Sequence, residues 1–174
     1  LNSTSVTIGD IVIANNRSSS LNGIYVYVNQ VGYNMSGSSS VAMGDFRITG
    51  NVVSSVLIGI YVDSFYEIGS YMYNSSSFTM GNLDFSNNTI DSGSYGLYLD
   101  DFEYFGYMMY GNSHFTMGSI LANENTIHSG SSGIYVYGIY DLGENMYGAS
   151  YFSMGSIEFN DNSIVSNSYG IYVE

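Results

Sequence analysis

A phrase close to Phe-Thr-Met-Gly, then two apolar positions, an Asn, an Ile and Gly-Ile-Tyr-Val, returns along this chain every 37 residues. Its first glycine falls at Gly44, Gly81, Gly118 and Gly155, and its second at Gly59, Gly96, Gly133 and Gly170. Met43, Met80, Met117 and Met154 keep the same step, as do Met35, Met72, Met109 and Met146. A strict period in this range marks a solenoid, in which each repeat is one layer stacked on its neighbours. At 37 residues per layer, the 174 residues make about 4.7 layers, beginning near Val6, Val41, Phe78, Phe115 and Phe152 of one domain.

Within a repeat, apolar residues alternate in short runs. Phe152 and Met154 alternate before Gly155; Ile157 and Phe159 alternate before Asn160-Asp161-Asn162; Ile164 follows; then a Ser-Asn-Ser-Tyr-Gly turn leads to Ile171 and Val173. Period-two runs bounded by turn residues are short strands, and no stretch carries a helical period. The expected fold is therefore all-β, a parallel β-helix (β-solenoid) with one rung per repeat. Stacked rungs place residue i over i+37 at ~4.8 Å, so like falls on like. Inner columns read Ile24, Ile60, Leu97, Ile134, Ile171 and Val26, Val62, Leu99, Val136, Val173. Two more are Ile11, Phe46, Leu83, Ile120, Ile157 and Val53, Ile90, Ile127, Ile164. Asn51, Asn88, Asn125 and Asn162 form a column at a corner. Asn tolerates left-handed backbone, and its amide can bond its own copy in the next rung.

The chain has no Cys, so it holds neither disulfides nor thiolate metal sites, and no Pro, which suits unbroken ladders. Its only cations are Arg17 and Arg47, against 15 acidic residues, for a net charge of −13. Such a surface repels phosphate backbones and anionic lipid, so neither nucleic acid nor a membrane is an expected partner. No apolar run reaches the ~20 residues of a membrane-spanning helix. No signal peptide is visible and the chain begins at Leu1, which reads as a mature, processed or excised product.

Segments such as Asn-Asn-Thr-Ile-Asp-Ser-Gly-Ser-Tyr-Gly-Leu-Tyr-Leu (87–99) resemble right-handed parallel β-helix repeats of the pectate-lyase-like superfamily. They are similar above all to the repeats of large archaeal and bacterial cell-surface proteins. The resemblance covers the whole chain and implies the fold, an Asn ladder at a two-residue corner, and an extracellular, cell-surface location. This 37-residue rung is longer than the family's commonest coil. The surplus lies between Gly-Ile-Tyr-Val and the next Phe-Thr-Met, as at 100–114, and is expected to add a strand or a protruding arch.

The superfamily includes polysaccharide lyases and hydrolases, whose chemistry the resemblance ties to a basic residue, clustered Ca²⁺-binding acids, or several Asp with a His and an Arg-Lys element. This chain has no Lys, and neither Arg lies in such a motif. Asp100-Asp101 is its only acidic dipeptide, and strand neighbours point to opposite faces. His114 and His128 lack ligand spacing. The toxin-type Ca²⁺ nonapeptide is absent, and the column begun by Asp10 and Asp45 continues as Asn82, Ser119, Ser156. No catalytic residue, cofactor or metal is therefore expected. Charges mostly avoid their own kind along the stack: Asp84 falls beside Arg47 and Asp91 beside His128, leaving Asp63 and Asp100 as the adjacent acidic pair.

Tyr25, Tyr61, Tyr98, Tyr135 and Tyr172 form an unbroken column between inner aliphatics. The pleat turns it outward as an exposed, flat amphipathic strip, either a strand-stabilising ladder or a contact surface for another rod or for sugar rings. Tyr73, Tyr107, Met108, Met109, Tyr110 and Tyr147 make a second apolar strip, an inner layer or a lateral interface. Five Asn-x-Ser/Thr sequons, at Asn2, Asn16, Asn34, Asn74 and Asn87, are glycosylation candidates, about as many as composition alone yields; Asn87 adjoins the tight corner. The first rung is worn, carrying Arg17 or Ser18 where later rungs have Val53 or Ile90, and is shorter by one. The last runs at full consensus to Glu174. The expected role is a structural cell-surface protein that stacks head to tail or laterally on copies of itself into a filament, sheath or surface layer. A glycan-binding adhesin stalk is the alternative, and a polysaccharide-active domain is third.

Overall fold

The computed structural model describes residues 3–174. Among these there is no helix; parallel strands stack into a β-solenoid of about 5 turns at ~37-residue spacing. The first face stacks Ser5–Ile8, Ser40–Met43, Ser77–Met80, His114–Met117 and Tyr151–Met154. The second stacks Ile11–Ala14, Phe46–Thr49, Leu83–Asp84, Ile120–Leu121 and Ile157–Glu158. The third stacks Arg17–Ser20, Val52–Ser55, Thr89–Ser92, Thr126–Ser129 and Ser163–Ser166. The fourth joins Ile24–Asn29 and Ile60–Tyr66 to Leu97–Leu99, Ile134–Val136 and Ile171–Val173, with Phe102–Glu103 and Ile139–Tyr140 continuing its edge.

The register is the one the period dictates: Ile60 over Leu97 over Ile134, and Phe46 over Leu83 over Ile120. Inward residues are buried and their neighbours face out, as in the alternating burial of Thr89–Ser92. The first rung departs from the beat by more than one residue. Ser5 pairs with Ser40 and Arg17 with Val52, 35 positions on. Ile24 pairs with Ile60, and a bulge between Val26 and Tyr27 restores the full step. Ser18, not Arg17, takes the inner place opposite Val53, and its hydroxyl bonds the Gly23 carbonyl at 2.9 Å.

The surplus length does not protrude. It adds the strand Phe102–Glu103 and then an inner layer, burying Phe102, Phe105 and Met109. Left-handed residues recur at alternate positions, Glu67, Gly69, Tyr71 in one rung and Tyr104, Gly106, Met108 in the next, with φ from 54° to 61°. This curls the chain into an arc that stays in the ladder. The Glu67 and Tyr71 N–H groups bond carbonyls of the following rung, at Glu103 and Tyr107, while Gly69 N–H bonds Val31 of the preceding one. Bulky left-handed residues cost ~1–2 kcal/mol each, which the inter-rung bonds and the buried aromatics offset. Phe78, Phe115 and Phe152 stack beneath the arc at 5.2 and 5.1 Å.

Two polar ladders fix the corners. Asn88 Oδ1 accepts the backbone and side-chain N–H of Asn51, both at 3.0 Å, and Asn88 Nδ2 donates to the Ile48 and Phe85 carbonyls at 2.8 and 3.0 Å. Asn125 and Asn162 repeat the scheme, and Asn16 is its foot. The left-handed position is not the ladder Asn but the residue before it: Asn15, Gly50, Asn87, Glu124 and Asp161. The second ladder is Asp10, Asp45, Asn82, Ser119, Ser156, each side-chain oxygen accepting the N–H of the next, at 2.8–3.1 Å.

At the turn before the fourth face the rungs meet backbone to backbone. A Cβ at Gly96 would lie 2.3 Å from Ile127 Cγ2 and 2.6 Å from the Gly133 carbonyl oxygen. Gly96→Ala is expected to cost ~3 kcal/mol by overpacking, read from denaturant unfolding. Asn88→Ala strands buried N–H groups and is expected to cost ~3 kcal/mol. Ser92 Oγ, by contrast, is buried without a partner. Ser92→Ala is expected to stabilise by ~1 kcal/mol, because a buried unbonded hydroxyl carries a desolvation cost.

Candidate functional site

The outer side of the fourth face and of the arc is where aromatic and acidic side chains converge. The predicted tyrosine column is continuous: successive rings from Tyr25 to Tyr172 lie 5.4, 5.0, 5.1 and 4.8 Å apart. It is neither flat nor fully exposed. Edge-to-face contacts alternate with stacked ones, and only Tyr25 is well exposed, the other four being half-buried. Tyr95 packs against Tyr98 and Tyr135, and Tyr169 against Tyr172, thickening the strip.

The phenols serve the carboxylates. Tyr25 donates to Asp63, and Tyr61 Oη lies 2.7 Å from Asp63 Oδ1 and 3.2 Å from Asp100 Oδ2. The adjacent acidic pair is thus bridged by phenol hydroxyls. Burial first, then the nearby carboxylates, pushes the Tyr61 and Tyr98 phenols well above their usual value. Burial and then Asp101 likewise raise the Asp100 carboxyl, against the hydrogen bonds it accepts.

Other predicted residues are placed as follows. Asp100-Asp101 lies between the strands Leu97–Leu99 and Phe102–Glu103, not within one; Asp101 is left-handed and its N–H bonds Asp100 Oδ1 at 3.1 Å. Arg47 pairs in register with Asp84, but its guanidinium binds Asp10 and Asp45 instead. The register also makes Asp10 and Asp45, and Glu124 and Asp161, like-charged neighbours beyond the single pair expected. Arg47 neutralises the first, and the second stands in solvent at the left-handed corner. The Asp10 and Asp45 carboxylates are occupied by that clamp and by the corner ladder. His128 meets Asp91 at 3.0 Å on the exposed third face, while His114 stacks on Tyr151. Among the described residues no group of three or more His, Asp or Glu side chains is arranged to hold a metal ion.

The second strip divides. Met109 and its stack-mate Met72 are interior, while Tyr73, Tyr110 and Tyr147 stack outside at 5.1 and 4.8 Å. Of the sequons, Asn2 lies outside the described residues. Asn34, Asn74 and Asn87 are exposed and left-handed, whereas the Asn16 amide is engaged at the foot of the ladder.

A hollow of about 120 Å³ on the arc, bounded by Tyr66, Glu67, Tyr71, Tyr104 and Tyr107, was not foreseen from sequence. Its tyrosines occupy different columns, so no repeated motif announced them. The third face carries a larger groove, of about 300 Å³, past Thr89, Asp91, Thr126 and His128. No protein family, curated protein or solved structure matches the chain.

The native fold retains the Tyr61 and Tyr98 protons where the unfolded chain releases them, above pH ~10. Stability contributed by the protonated phenols is therefore complete below that pH and lost as pH rises beyond it. Thermal scans should hold steady to about pH 9 and then fall, and Tyr61→Phe with Tyr98→Phe should make that alkaline fall shallower.

Proposed function

We propose that the chain is a non-catalytic structural module of an extracellular, cell-surface assembly, a stiff rod that lengthens by β-solenoid stacking into a filament, sheath or surface layer. The observation that carries this reading is the register from the second rung on: the same side-chain columns run at a 37-residue step through successive rungs up to the outermost one. Leu97, Ile134 and Val136 are fully buried by the rungs around them, whereas Ile171 and Val173, in the same columns, are 41% and 49% exposed. A further rung stacked in register would cover them and continue the ladders. Parallel pairing with no change of register supplies such an interface.

The cell-surface setting follows from the resemblance of residues 87–99 to pectate-lyase-like β-helix repeats of surface proteins. A surface with two cleavable basic residues, one of them clamped by two carboxylates, suits exposure to proteases. A second reading, a glycan-binding adhesin stalk, draws on the half-exposed Tyr ladder, since amphipathic rings backed by carboxylates suit sugar faces and hydroxyls.

Electron microscopy across a range of protein concentrations tests the first reading. Ordered filaments or sheets with a ~4.8 Å axial repeat are expected. Discrete short particles at every concentration would sink it, and glycan-dependent quenching of tyrosine fluorescence would then support the adhesin reading.

A further inference from the structure

The hollow on the arc has a chemistry that neither the rod nor the Tyr ladder uses. It is assembled across two rungs: Tyr66, Glu67 and Tyr71 come from one, Tyr104 and Tyr107 from the next. The rings fix one another. Tyr66 and Tyr104 meet edge to face at 5.3 Å, as do Tyr71 and Tyr107 at 5.9 Å, while Tyr104 and Tyr107 lie tilted at 4.7 Å. Backbone left-handed turns at Glu67, Tyr71 and Tyr104 hold those side chains outward on the same arc. The space, about 120 Å³, far exceeds the ~10–15 Å³ one water needs. Its lining is predominantly polar, and the side chains that border it bring four phenol hydroxyls and the Glu67 carboxylate. Glu67 Oε2 takes one hydrogen bond, from Gln30 Nε2 at 2.7 Å, leaving acceptor capacity on the carboxylate.

We propose that this hollow binds a primary alkylammonium group, the end of a lysine side chain or of a polyamine. An ammonium brings three donors and no acceptor, which matches a ring of oxygens. The surrounding field favours a cation. Glu103, then burial and Asp141, hold the Tyr104 phenol up, at about 12, and burial followed by Glu67 and Glu103 raises Tyr66. Both phenols therefore stay protonated and neutral at pH 7, offering lone pairs beside fixed negative charge. One carboxylate with neutral phenols is too little charge to dehydrate a divalent ion that wants six or more oxygen ligands. A quaternary ammonium has no donors and needs open ring faces. The chain contains no lysine, so the ammonium comes from another molecule. This inference is independent of whether the rod is a structural element or an adhesin.

Calorimetric titration of the folded protein at fixed ionic strength tests it, with n-butylammonium, spermidine and N-acetyl-lysine amide as probes, and tetramethylammonium and K⁺ for comparison. The primary ammonium probes are expected to bind at least ~10-fold more tightly than tetramethylammonium or K⁺. Glu67→Gln and Tyr104→Phe are each expected to weaken them, the former ~10-fold. Asp91→Asn makes the same charge change on another face and is expected to alter affinity less than ~2-fold. Circular dichroism confirms that each variant folds. Tighter binding of the lysine amide assigns the site to a partner protein's lysine, and tighter binding of spermidine assigns it to polyamines. Butylammonium binding no tighter than K⁺, or equal losses in Glu67→Gln and Asp91→Asn, would overturn the proposal.

Discussion

Everything in this molecule depends on the inter-rung backbone hydrogen bond made in parallel, at a step of 37 residues from the second rung on. Each rung is too thin to bury its own apolar side, so it exists only against the rungs above and below. Parallel pairing without a change of register puts the inward residues on their own kind, as at Ile90 over Ile127 and Phe78 over Phe115. Conserving one rung's chemistry along the chain thus conserves it along the rod. The Phe78–Phe115–Phe152 stack and the Ile60–Leu97–Ile134 column are the same rule applied to different residues. The arc obeys it as well: its strand geometry is lost to alternate left-handed residues, yet its N–H groups still bond the rungs on either side.

That rule makes the polar positions the delicate ones. A side chain whose copy lies about 4.8 Å away must like its copy or be separated from it. Amides solve this by donating and accepting along the column, which is why Asn51, Asn88 and Asn125 lie fully inside the fold while remaining bonded. Carboxylates need help. Asp63 and Asp100 receive phenol hydroxyls, and Asp10 and Asp45 share Arg47. Ser55, Ser92 and Ser129 show the cost of repetition: three stacked hydroxyls buried without a partner, in a column whose end members Ser20 and Ser166 are bonded.

The outer surface combines a net charge of −13 with tyrosines concentrated on the fourth face and the arc. The rings pack on one another edge to face as often as face to face, so this side is ridged, and the ridges enclose the hollow beside Glu67.

The sequence by itself determined the all-β solenoid, its rung length, its inner columns, the Asn corner and the continuity of the Tyr ladder. All of these follow from period and alternation, which the backbone ladder reads directly. Only the tertiary structure decided where the surplus of each rung goes. Left-handed backbone at Glu67, Tyr71 and Tyr104 has no signal in residue type; the Phe stack beneath the arc and the bonds to neighbouring rungs impose it. Side-chain reach was equally hidden. Arg47 faces Asp84 in register yet turns to Asp10 and Asp45, because a long guanidinium goes to the site with two carboxylates. The Tyr66, Glu67, Tyr71, Tyr104 and Tyr107 hollow joins columns that only the curvature of the arc brings together.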